Sequence, residues 1–274
     1  MTVVATWYRE KFGEVWCVSD TRISSGSTTA TDSGPKMLPI PVATFRQVAG
    51  ANWFPHEQFT IGFAFAGSTL AALSAHALVS ACTQNLARNR ENVKSPSVRG
   101  IAEMVRRVGE HYVRDISSRM VGTQSDPTVY AFQAHVFGHC RAEHRYVGFL
   151  IYPEFSPAAF SMKCHELRLE AGHVWPMGTG AEKLIEIMTE LDRASLPSGV
   201  IIALREMLKR DATPGVGGYF QCGIARPDGF RLYPILNFGG ALDRHVTFLG
   251  FSTSSLGEFE GHHIGFQMFS PDMD

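Results

Sequence analysis

Thr60-Ile-Gly-Phe-Ala-Phe-Ala-Gly67 is a short apolar run closed by glycine, and the Ala- and Leu-rich residues 68–90 follow it at once. The run predicts a buried strand and the longer stretch a helix. A second helix is predicted over 97–119, where Val98, Ile101, Val105, Val108, Tyr112 and Ile116 form one apolar stripe at 3.6-residue spacing. Before the quoted run, residues 3–8 and 14–19 are β-branched and aromatic and are separated by 11–13, which predicts a hairpin. Residues 20–34 are rich in Ser, Thr and Gly and predict a loop, while 36–40 predict a short third strand. Pro39 and Pro41 confine that strand to an edge or a bulge. Asp126 and Pro127 break the chain after the second helix. Strands are then predicted at 129–137, 146–152 and 166–170, followed by a second helix pair over 181–191 and 200–208. Beyond the Gly-rich turn 214–218, strands are predicted at 219–226, 230–236, 246–251 and 262–269.

Strands and helices come in groups rather than alternating singly, which argues against a doubly wound parallel sheet. The order predicts an α+β fold: a four-layer sandwich of two antiparallel sheets packed face to face, with a helix pair on each outer side. No repeat or linker divides residues 1–274, so one domain is expected, with 41–58 as an insertion between the third and fourth strands and 241–274 as a C-terminal extension.

The chain has 274 residues, 45% of them hydrophobic and 19% charged, a globular composition rather than a disordered one. With 25 basic and 26 acidic residues there is no electrostatic footprint for nucleic acid or anionic lipid. The five cysteines are far apart with no C-x-x-C pair, which predicts free thiols in a reducing compartment. The start, MTVVATWYREK, lacks a secretory pattern, and no apolar run approaches the ~20 residues that span a bilayer. The expectation is a cytoplasmic protein, with Met1 the one residue ahead of Thr2.

Thr2-Val-Val-Ala, Val18-Ser-Asp-Thr-Arg22, Pro35-Lys-Met-Leu-Pro-Ile40 and Phe65-Ala-Gly67 occur in that order in the N-terminal part of the chain. Together they make the chain similar to the proteasome β-subunit-like N-terminal nucleophile (Ntn) hydrolases, the bacterial HslV and Anbu-like type. The resemblance covers most of the chain up to Gly240 and is most specific at its start. It implies a threonine-type amide hydrolase, most simply a peptidase. Thr2 would be the nucleophile once Met1 is removed, with Asp20, Lys36 and Gly67 around it and Thr179 and Asp211 near the α-amine. It implies no metal or other cofactor, a homo-oligomeric ring that encloses the nucleophile, and room for an ATPase partner. There are departures. Val216 stands where the family usually has a Ser, and residues 211–218 form a longer stretch into which Pro214 enters.

The residue types also make chemical sense together. A threonine hydroxyl is a weak nucleophile that needs a base. A free α-amine titrates near ~7.7–8.0 and can take the hydroxyl proton. The cation of Lys36 would lower the pKa of both groups, and Asp20 would keep Lys36 charged and oriented. The Gly67 N–H, at a helix start, is suited to an oxyanion. Read singly, Asp20 is a turn residue, Lys36 a solvated edge residue and Gly67 a helix start; the functional reading rests on their joint occurrence.

Other patterns carry less. His135, His139, Cys140 and His144 suggest a metal cluster, but His135 and His139 would lie about 13 Å apart along one strand. His262 and His263 would point to opposite faces. Cys17 lies in a predicted strand and reads as core, and the glycines at 178–180 and 215–218 lack a nucleotide-binding pattern. Two rival functions share the predicted fold: a non-catalytic structural subunit, to which Val216 points, and an amidohydrolase of a small amide. An enclosed cleft beside Thr2 would favour the small amide, and a groove with free strand edges would favour a peptide.

Overall fold

The computed structural model describes residues 2–25, 28–47, 52–88, 93–120, 125–156, 159–191, 199–211, 213–238, 244–258, 260–262 and 267–269. The chain is a mixed α/β structure with several antiparallel sheets. It opens with β1 (Val4–Arg9), a 3-10 turn at Glu10–Phe12 and β2 (Glu14–Asp20), followed by β3 (Ile23–Ser25), β4 (Thr28–Thr31), β5 (Met37–Gln47) and β6 (Trp53–Gly67). Helix α1 (Thr69–Thr83), β7 (Leu86–Arg88), α2 (Val98–Arg119) and the short α3 (Pro127–Tyr130) come next. Then follow β8 (Phe132–Cys140), β9 (Arg145–Ser156), β10 (Ala159–Leu167), β11 (Val174–Met177), α4 (Ala181–Glu190) and α5 (Gly199–Lys209). The last elements are β12 (Phe220–Arg226), β13 (Gly229–Tyr233), β14 (Ile235–Phe238), β15 (Arg244–Phe248), β16 (Phe251–Ser252) and α6 (Thr253–Leu256). Among the described residues, no helix is long and apolar enough to cross a membrane.

These elements form two compact units. The first comprises Met1–Leu38, Glu170–Ile224 and Leu232–Asp274; the second comprises Pro39–Leu169 and Ala225–Arg231.

In the first unit β1 lies inside a five-stranded sheet of order β11-β1-β2-β12-β13. It is antiparallel to both neighbours, with Val4 opposite Met177 on one side and Ser19 on the other. Alternation along the strands sends Val3, Ala5, Trp7, Trp16 and Val18 into one buried cluster with Leu184 and Ile187 of α4 and Ile201 and Leu204 of α5. Full burial of a Val, Leu or Ile side chain contributes about 1.5–3 kcal/mol, so this face fixes the register of β1. The strands β14, β15 and β16 make a small separate sheet. Of the strand expected over 262–269, Phe269 bridges Ile235 and its ring meets Trp16 at 5.4 Å, while His263 lies outside the described residues.

The second unit carries a six-stranded sheet of order β10-β9-β8-β6-β5-β7, with α1 and α2 packed on it. Pro39 and Pro41 sit inside β5, where β7 pairs only with Thr44–Arg46. Beside the prolines, α1 replaces a strand: His76 Nε2 lies 2.9 Å from the Pro39 carbonyl, and Thr83 Oγ1 donates to the Pro41 carbonyl at 2.6 Å. The sheet edge is thus closed by side chains, the setting in which a strand tolerates proline. Residues 41–47 and 53–58 lie in the far ends of β5 and β6.

Several expectations are corrected, the first being the loop over 20–34, which contains β3 and β4. The helix predicted over 68–90 ends at Thr83, and Leu86–Arg88 turn back as β7. The buried line of α2 starts on Val98, Ile101 and Val105 as expected but continues through Gly109, Val113 and Ser117, leaving Tyr112 and Ile116 half-buried. Steps of four follow a ridge that drifts around the helix, the packing mode of i±4 rows. The strand expected at 166–170 runs instead over Ala159–Leu167, and β11 was not expected at all.

Candidate active site

The first described residue is already part of the fold. Thr2 is 6% exposed, its nitrogen donates to Thr179 Oγ1 at 3.3 Å, and its carbonyl accepts from the Gly180 N–H at 3.1 Å. Thr179 reaches that position because β11 pairs with β1 up to Met177 opposite Val4, and the turn Gly178–Gly180 then carries the chain past Thr2 into α4. The next residue ties β1 to β2: the Val3 N–H donates to Asp20 Oδ1 at 3.0 Å.

Asp20 ends β2 with no exposed surface, and its carboxylate is fully occupied. Oδ1 also accepts from Lys36 Nζ at 2.8 Å; Oδ2 accepts from the Arg22 N–H at 3.2 Å and the Gly217 N–H at 3.1 Å. Four donors from four parts of the chain converge on one side chain, which is how a buried carboxylate is compensated. Lys36 is itself 1% exposed. Burial pulls its pKa below the ordinary lysine value, and Arg22 adds to that, while Asp20 and Asp32 oppose it. The result is a dry cation, held by a carboxylate that also grips the residue following Thr2. Such a charge lowers the pKa of neighbouring protonated groups far more than it would in water.

Gln221 of β12 completes this arrangement. Its Oε1 accepts from the Lys36 N–H at 3.3 Å, and its Nε2 donates to the Gly34 carbonyl at 2.8 Å and the Asp20 carbonyl at 3.5 Å. Thr21 acts similarly one residue on: its hydroxyl donates to the Asp32 carbonyl at 2.5 Å and accepts from the Tyr219 N–H at 2.6 Å.

Arg22 braces the rim. Its guanidinium meets Asp32 at 2.7 Å and Asp211 at 3.4 Å. It lies so closely over Gly217 that a Cβ there would sit 2.3 Å from Arg22 Cζ, and a side chain at that position would displace the guanidinium. The resemblance places Asp211 beside the α-amine; in the structure its side chain is 74% exposed and its carboxylate goes to Arg22. Val216 is buried in the apolar cluster that includes Val3, so the loop donating Gly217 to Asp20 is anchored by packing rather than by a hydroxyl.

Gly67 belongs to the second unit, at the junction of β6 and α1. Its φ of +105° is left-handed, and a Cβ would lie 2.7 Å from the Ala131 carbonyl. The Ser68 N–H bonds that carbonyl at 3.0 Å, and Ser68 Oγ caps α1 by accepting from Ala71.

The sequence brought Thr2, Asp20, Lys36 and Thr179 forward, and the structure joins them through Val3 and Gly180. Arg22 was quoted within a motif without a role. Gln221 carried no signal, because a glutamine in a strand is marked only by what it reaches across space. Cys17 is fully buried, accepts from the Thr6 hydroxyl at 3.3 Å, and has its thiol pKa pushed up to about 12 by burial, so it holds no thiolate for chemistry. His135 is buried with its pKa lowered to about 3, and no group of three or more potential ligands among the described residues could hold a metal. No protein-family model matches the chain, and no curated protein matches it either.

Proposed function

We propose that this chain is an N-terminal-nucleophile amide hydrolase acting through Thr2 on a peptide. The observation that carries the reading is the buried Lys36–Asp20 pair, whose carboxylate also binds the Val3 N–H directly after Thr2. A lysine and an aspartate with almost no exposed surface are expensive to bury, and a fold that needed only stability would do as well with apolar residues.

Hydrolysis of the Met1–Thr2 bond turns the Thr2 nitrogen from an amide into an amine. That amine takes the proton of Thr2 Oγ as the oxygen attacks the substrate carbonyl carbon. The developing oxyanion is bound by a backbone N–H, the role the resemblance gives to Gly67. Collapse of the tetrahedral intermediate breaks the C–N bond, and the leaving nitrogen takes the proton from the ammonium. Water then attacks the ester under the same base and restores Thr2. Lys36 favours the neutral amine and the developing alkoxide by its charge; Thr179, 3.3 Å from the Thr2 nitrogen, orients the base.

The resemblance supplies the rest of the proposal. The fold that the resemblance implies is a four-layer sandwich of two antiparallel sheets with a helix pair on each outer side. Copies assemble into a ring in the cytoplasm, to which an ATPase can feed unfolded chains. A second reading, a silent structural subunit of the same fold, is favoured by Val216 and by the engagement of Asp211 with Arg22.

Intact mass before and after exposure to an epoxyketone separates the two. Loss of Met1 with one adduct, absent in Thr2→Ala, is the expected result. Retained Met1, or a Met1-free protein that takes no adduct, would overturn the hydrolase reading in favour of the silent subunit.

A further inference from the structure

One buried side chain touches every segment that carries the ion pair. Gln221 is 1% exposed and bonds the main chain of Asp20, Gly34 and Lys36, but neither charged group of the pair. Residues 33–36 precede β5 and lie outside any strand; among the described residues the Gly34 N–H donates to the Thr21 carbonyl at 2.8 Å and the Ser33 N–H to Thr31 Oγ1 at 3.1 Å. The Lys36 side chain has four rotatable bonds, so the place of its ammonium depends on where its own Cα is held.

We propose that Gln221 is a positioning residue for the Thr2 nucleophile: its side-chain amide clamps residues 34–36 to the end of β2 and so sets the Lys36 ammonium on Oδ1 of Asp20. The proposal rests on the hydrolase reading, because the ammonium matters only if Thr2 reacts. A carboxamide suits this task. It donates on one side and accepts on the other, bridging a carbonyl and an N–H as a strand rung would, and it brings no charge beside the pair. The charged groups that bear on Lys36 are Asp20, Arg22 and Asp32, and Gln221 leaves that balance untouched.

The test is Gln221→Met, which keeps the length of the side chain and removes all three hydrogen bonds. Two readouts are taken on the full-length, Met1-free protein. Competitive acetylation with acetic anhydride across pH, read by peptide mass, reports the accessibility and titration of Lys36. The rate of epoxyketone adduct formation across pH reports Thr2. With the clamp removed, Lys36 acetylation rises by about tenfold or more. The adduct rate falls by about tenfold, the 1.4 kcal/mol that one poorly placed charge-assisted hydrogen bond is worth. Its pH midpoint moves up, because a cation near the amine disfavours the protonated form and that effect weakens as the cation withdraws.

A folded Gln221→Met protein with wild-type Lys36 acetylation overturns the proposal, whatever its rate. An adduct profile with an unshifted midpoint overturns it too, leaving Gln221 a structural rung. If Lys36 acetylation rises while the Met1-free wild-type chain takes no adduct, the hydrolase reading itself has failed and the positioning role falls with it. Should Gln221→Met not fold, Gln221→Leu, which likewise carries no charge and no hydrogen-bonding group, is judged by the same outcomes.

Discussion

Replacing Asp20 by Asn changes one atom at the most connected point of the first unit. The amide offers one oxygen where the carboxylate offered two. With its NH2 in place of Oδ2, two N–H groups from Arg22 and Gly217 face a donor; flipped, Lys36 Nζ and the Val3 N–H do. Either way Lys36 loses its counter-charge at a site where it is 1% exposed. Removing one partner of a buried pair costs about 3–5 kcal/mol. At about 2 °C or more per kcal/mol for a chain of this size, the melting temperature falls by about 6 °C or more.

The sign with pH follows from Lys36. Its folded pKa lies below its unfolded value of 10.5, so between the two the unfolded chain binds the extra proton and stability rises with pH. Loss of Asp20 lowers the folded value further and widens that window downward. The deficit of Asp20→Asn against wild type therefore shrinks as pH rises through the interval between the two folded values, by up to about 1.4 kcal/mol per pH unit. Urea unfolding at several pH values measures it, and the double variant Asp20→Asn/Lys36→Met closes the cycle. The double variant should be more stable than Asp20→Asn alone. A deficit under about 1 kcal/mol, or single effects that add within about 0.5 kcal/mol, would show that the pair is not coupled as described.

Four further outcomes are expected. Gly67→Ala forces a left-handed φ and a 2.7 Å contact with the Ala131 carbonyl, so it should cost about 2–3 kcal/mol in thermal unfolding; a cost under 0.5 kcal/mol would contradict the geometry. Thr179→Val removes the acceptor of the Thr2 nitrogen and should slow epoxyketone adduct formation about two- to tenfold, the worth of one hydrogen bond. Asp211→Ala, at an exposed pair, should leave stability within about 0.5 kcal/mol and the adduct rate within about twofold, and a larger loss would restore Asp211 to the site. Cys17, with its thiol near pKa 12 and no exposed surface, should resist iodoacetamide at pH 8 until the chain is denatured.

The helices and the first hairpin were legible in the sequence because their signals are local: the period of the 98–116 stripe and the turn at Gly13 need no distant partner. The strands β7 and β11 were not. Leu86–Arg88 is three residues long and exists only because Thr44–Arg46 offers an edge, and Trp175-Pro176 reads as a strand only once β1 is beside it. The extent of β5 was hidden by its prolines, whose tolerance depends on His76 and Thr83 arriving from α1. In the site, charged residues announced themselves because burying them needs a reason. The residues that hold them in place, Gln221 and Thr21, are polar and neutral, and their roles appear only where three segments of chain converge.

The position of β1 carries a consequence for the proposed hydrolase. Its strand lies between β11 and β2, and the Thr2 nitrogen is engaged with Thr179 while its carbonyl is held by Gly180. If Thr2 serves as proposed, the bond ahead of it is cut most readily before β1 is paired, and the fraction of molecules able to take an epoxyketone is set during synthesis rather than by later treatment of the folded protein.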